Sequence, residues 1–97
     1  MEMESLRTQL TENLDEAEWD WLIPHLEKEV VIIVESPLDL LTVGEAIAQD
    51  NANSVQHWIS EALIHKPSPE QILQGHQQPK KRFQALIVQP FVLIQEL

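Results

Sequence analysis

The sequence predicts an α+β domain: a small sheet of two or three strands flanked by helices, with a central helix-turn-helix-like pair. Three observations carry this. Residues 30–34 are a continuous β-branched run, too short for a capped helix and typical of a strand buried on both faces. Residues 83–94 form a second β-prone stretch. Before and between them, apolar residues recur at helical spacing behind recognisable starting residues. With 97 residues the chain reads as one domain, residues 1–97, with residues 1–12 a frayed N-terminal helix. A domain of this size buries roughly 60–70% of its unfolded surface.

Taken in order, Leu6, Leu10 and Leu14 lead into Trp19, Leu22, Ile23 and Leu26, which predicts one or two helices. Asp15 with Glu18 has the form of a capping box and sets the start of the second. Pro24 inside the pattern lacks an N–H and crowds the carbonyl of Asp20, so it kinks or shortens that helix. Residues 30–34 are the first strand. Ser36-Pro37-Leu38-Asp39 opens the next helix, with Ser as N-cap and Pro at the first helical position, and Leu40, Val43 and Ile47 form its buried stripe. Residues 50–53 interrupt the pattern. Asn53 with Gln56 then caps the cleanest amphipathic helix of the chain, whose apolar residues are Val55, Trp58, Ile59, Ala62 and Leu63. Ser68-Pro69 repeats the starting device for a short helix ending near Gly75, a suitable C-terminal cap. In the final stretch Pro90 has no ladder donor, which implies a bulge, an edge or a break into two strands.

Charge is unevenly spread. The chain carries 16 acids and 6 Lys or Arg, a net charge of -10; residues 1–50 hold 13 of the acids and 2 of the bases. Glu12, Asp15, Glu16, Glu18 and Asp20 make an acidic segment, read as a solvated helix face or a docking surface for a basic partner. Pro79-Lys80-Lys81-Arg82 superficially looks like a nuclear import signal and reads better as a solvated basic turn. The N-terminus has acids where a signal peptide needs cations, and no apolar run reaches the ~20 residues that span a bilayer. The expected location is the cytoplasm.

Much chemistry is excluded. The chain has no Cys, so disulfides, thiol catalysis and Cys-ligated metal centres are out. Two glycines, Gly44 and Gly75, cannot build a Gly-rich phosphate loop. His25, His57, His65 and His76 sit at no metal-ligand spacing within one helical turn, and no cofactor is read. Residues 43–48 followed by 53–64 resemble a helix-turn-helix, with Ala46 as the small contact residue. The second helix has no Lys or Arg to neutralise phosphates, so winged-helix-like binding of duplex DNA is the least favoured function.

Taken together, Glu18-Trp19-Asp20-Trp21-Leu22 with Pro24-His25, Leu38-Asp39-Leu40, Val43-Gly44, Ala46-Ile47-Ala48, Val55-Gln56, Trp58, Lys66-Pro67 and residues 85–95 resemble a small bacterial family, domain of unknown function 2288, in its cyanobacterial branch. The resemblance covers the chain from about Leu14 onward. It departs at Ala62, where such relatives tend to read Gly, and at Gln74-Gly75-His76, where a third tryptophan region is expected. Neither position is therefore expected to be indispensable to chemistry. The resemblance implies a compact bacterial cytosolic protein and supplies no activity.

Two functions remain. The favoured one is a non-enzymatic protein-interaction or regulatory module using Trp19, Trp21, Pro24 and His25, because Trp is enriched at binding hot spots. Trp19 and Trp21 point about 200° apart on a helix, so one faces the core and Trp21 is expected to be exposed. The alternative is an enzyme or small-ligand-binding domain with a polar pocket around Asp39, Asp50 and His57. Because both faces of residues 83–94 are apolar, a homodimer through that strand is also expected.

Overall fold

The structure, a computed structural model, describes residues 6–97. The acidic residues 1–5 that entered the signal-peptide argument lie outside the described residues. Five helices and five strands follow in the order α1 (Leu6–Glu12), β1 (Leu14–Glu18), α2 (Trp19–Glu27), β2 (Val31–Val34), α3 (Leu40–Ala48), α4 (Ala52–Ser60), β3 (Ile64–His65), α5 (Pro69–Gln77), β4 (Arg82–Val88) and β5 (Phe91–Glu96). The strands form one sheet in the order β1-β4-β5-β2-β3. All neighbours are antiparallel except β2 and β5. The α+β class stands, and the sheet is larger than the expected two or three strands.

The two extra edge strands explain the difference. Residues 14–18 consist mostly of good helix formers, and local propensity yields to long-range pairing there. Leu14 lies opposite Leu86 and Ala17 opposite Phe83. Asp15 therefore caps no helix; α2 starts after Glu18, which makes no side-chain cap bond. β3 is too short to leave a sequence pattern, yet Ile64 and His65 pair with Val34 and Ile33.

Both faces of the sheet are covered. Leu86, Val88 and Leu93 meet Leu10 of α1, Leu40 and Val43 of α3, and the half-buried Val55 and Trp58 of α4. On the other face Phe83, Ala85, Val92 and Ile94 meet Trp19 and Leu22 of α2 and Ile72 of α5. Both faces of β4 and β5 are apolar as expected, but the membership changes at the turn. Gln89-Pro90, a cis peptide, breaks the stretch into a hairpin in which Val88 lies opposite Phe91. Residues directly opposite share a face, so Phe91 and Leu93 join Leu86 and Val88, and not Phe83 as in a continuous strand. The hairpin also removes the premise of the expected dimer by sheet extension: β5 has β4 on one side and β2 on the other, leaving no free edge.

Helix boundaries shift for local reasons. The Leu38 N–H donates to the Glu35 carbonyl, closing a turn through Ser36 and Pro37 that delays α3 to Leu40. The cap of α4 is Asn51, whose side chain accepts from the Ser54 N–H, and not Asn53. At α5 the expectation holds: Ser68 and Gln71 form a reciprocal capping box, with Pro69 opening the helix. Gly75 lies inside α5, not beyond its end; a methyl group on its Cα would overlap the Trp19 indole. Over residues 6–12 the N-terminal helix packs through the buried Leu10, and Arg7 reaches Asp39 and Glu45.

Candidate functional site

Two surfaces stand out, at opposite edges of the sheet. The first is built on β1. Trp19 and Trp21 diverge as helical geometry requires: Trp19 is 2% exposed and Trp21 44%. Trp19 donates its indole N–H to His76 Nδ1 at 3.1 Å and packs on Phe83, so it serves the core and joins α2 to α5. Trp21 leans on the His25 ring at 4.7 Å between centroids. Pro24 lies inside α2 without ending it. Beside Trp21, a shallow hollow of about 330 Å³ is lined by Asp15, Ala17, Ala85 and Ile87. Ile87 is 40% exposed, because α2 and α5 cover the rest of its face and stop short of this corner.

Of the acidic segment, Asp15, Glu16 and Glu18 lie on the edge strand β1, while Glu12 ends α1 and Asp20 sits in the first turn of α2. Glu16 pairs with Arg82, Glu18 and Asp20 with Lys80, and Lys81 with Glu96. The basic turn is thus neutralised by its own chain, and Asp20, with help from Glu18, raises the Lys80 pKa above its ordinary value. Asp15 has no cationic partner among the described residues; its carboxylate accepts the Glu16 N–H at 2.8 Å. An edge strand carrying charge and a self-satisfied N–H resists pairing with a second copy of itself.

The second surface is a groove of about 680 Å³ between α3, α4 and the β2–β3 end of the sheet. Its floor is Ile32, Ile64 and Phe91, and its walls are Ile47, Val55 and Ile59. The amphipathic stripe of α4 was legible in sequence, yet no residue of α4 is buried, and Ile59 is 56% exposed. The stripe is divided: Val55 and Trp58 pack against the core, while Val55 and Ile59 also line the groove.

At the groove's edge, His65 Nε2 meets the Glu35 carboxylate at 2.6 Å and Nδ1 meets the Lys66 carbonyl at 3.1 Å. Both ring nitrogens face acceptors, which suits the doubly protonated imidazolium. Partial burial opposes that charge, but Glu35 and the Lys66 carbonyl outweigh it and the His65 pKa is raised. Sequence gave no sign of this pair, since its partners are brought together only by the β2–β3 pairing.

The polar pocket expected around Asp39, Asp50 and His57 is not assembled. Asp39 and Asp50 flank opposite ends of α3, about 16 Å apart along its axis. Asp39 is held by Arg7 and the Thr42 hydroxyl, and the Arg7 guanidinium keeps its carboxyl below the usual range. Asp50 lines the apolar groove, and His57 is exposed on α4 without lining it. Among the described residues no three His, Asp or Glu side chains converge on a metal position, and no helix is long and apolar enough to cross a membrane.

A family model described as "Protein of unknown function (DUF2288)" matches residues 5–96. The NMR solution structure of PA1075 from Pseudomonas aeruginosa is similar with a TM-score of 0.81 and 26% sequence identity, over 97% of this chain and 86% of that one. Among curated proteins no match was found.

Proposed function

This chain belongs to the DUF2288 family, and we propose that it acts as a non-enzymatic interaction module that docks a basic segment of a partner protein at the Trp21 surface. The observation that carries this is the exposure of Trp21 beside Ile87 on an acidic sheet edge. A few residues, among which Trp is enriched, carry most of the binding energy at protein interfaces. The surrounding carboxylates favour Lys or Arg around an apolar anchor seated in the hollow. His25 supports the indole from behind, and Trp19 fixes α2 without touching the partner.

Fluorescence anisotropy tests this with a labelled peptide of Lys and Leu residues and a control in which Glu replaces Lys. The Lys peptide binds, binding weakens with salt, and Trp21→Ala lowers affinity at least tenfold, about 1.4 kcal/mol. Equal binding by wild type and Trp21→Ala, or by both peptides, would refute the reading.

A further inference from the structure

The groove between α3 and α4 calls for a different occupant. Its volume, about 680 Å³, falls among small-molecule sites, roughly 300–1,000 Å³. The floor and walls described above offer no hydrogen-bonding side chain, so the body of the occupant must be apolar. An added peptide strand is poorly served. β3 presents an edge of two residues, and Pro67, just beyond Lys66, has no N–H to give. A second copy of the chain would bring another ten negative charges toward a surface of the same sign. A small molecule with an apolar chain remains.

The polar residues at the mouth set its head group. Asp50 lies on the link between the helices, and Lys66 follows β3. His65 is committed to Glu35. Lys66 is not committed: its contact with Glu29 is 3.8 Å, between side chains 62% and 78% exposed. Because His65 pairs with Ile33, the next residue along brings Lys66 beside Ile32 at the groove floor. A flexible ammonium there attracts an anion, and Asp50 repels one from its own end.

We infer that this groove binds a free single-chain amphiphile with an anionic head, of the fatty-acid type, its chain along Ile32, Ile47, Ile59 and Phe91 and its head at Lys66 Nζ. The inference is independent of the Trp21 surface, and the test keeps the two apart.

Isothermal titration of the full chain with laurate below its micellar concentration is the experiment, with dodecyltrimethylammonium as the cationic probe of equal length. Laurate binds saturably at one site per chain and at least tenfold more tightly than the cation. Lys66→Glu reverses that preference, Ile59→Glu abolishes laurate binding while the far-ultraviolet circular dichroism stays native, and Trp21→Ala leaves it unchanged. Absence of saturable laurate binding, equal affinity for both probes, or insensitivity to both groove substitutions overturns the inference. So does binding to anionic phosphatidylglycerol vesicles in place of the monomer.

Discussion

On one face of the sheet, Gly75 lets the backbone of α5 settle against the indole of Trp19, and Leu22, Phe83 and Ile94 close around it. On the other face α4 lies above Ile32 and Phe91 without burying a residue. The same central strands supply both surfaces, with the same apolar character. The difference lies in the covering helices: α5 has a position with no side chain where it meets its largest neighbour, and α4 packs only through the half-buried Val55 and Trp58 while Ile59 stands clear. Amphipathic strength does not measure burial. The chain commits its closest fit to holding two helices together and leaves the strongest apolar stripe available.

The contrast breaks first at Trp19. Trp19→Ala should cost about 3–5 kcal/mol and Gly75→Ala about 1–3 kcal/mol through overpacking, both read as lowered urea midpoints. A Gly75→Ala variant as stable as wild type would mean that α5 is not seated as described. On the groove side the sign reverses. Ala62, just beyond α4, has φ 58°, a left-handed conformation that costs an L-residue about 1 kcal/mol. Ala62→Gly should therefore raise stability by about that amount.

The His65–Glu35 pair should contribute less than about 1 kcal/mol, since both side chains are partly exposed. The folded His65 pKa lies above the ordinary 6.5. Its contribution is therefore complete below pH 6.5 and is lost as pH rises through the folded value. Urea midpoints at pH 5.5 and 9 should show this loss, and Glu35→Gln should abolish that part of the pH dependence. The smallest effect belongs to Ile59→Gln, which should change stability by less than about 0.5 kcal/mol. A large loss there would show that Ile59 is packed as Val55 and Trp58 are.

These expectations also mark what sequence could reveal. Where an element depends on neighbours a few residues away it was legible: the Ser68–Gln71 box, the divergence of Trp19 and Trp21, the break at Pro90. The similar Ser36-Pro37 device misled, because Glu35 closes a turn on Leu38, and the Gln95 amide, distant in sequence but on the adjoining strand, donates to the Glu35 and Leu38 carbonyls. β1 was hidden for the same reason, since helix-forming residues become a strand only when β4 is beside them. Of the candidate surfaces, Trp21 was found from its angle on the helix. Ile87 was not, because its exposure depends on where α2 and α5 stop. The groove was hidden because a stripe cannot reveal that nothing lies over it.

The strand order bears on how the molecule comes into being. β1 and β2 are early in the chain, but β1 pairs with β4 and β2 with β5 as well as with the short β3, with Leu14 meeting Leu86 and Val31 meeting Val92. The centre of the sheet is thus made after the strands that flank it. Until the hairpin around Pro90 exists, β1 has no ladder to join and β2 has only the two residues of β3. Such distant pairings are slow to close, because chain entropy is spent before any contact repays it. A chain growing from the ribosome therefore holds β1 without its partner until residues 82–88 have been made.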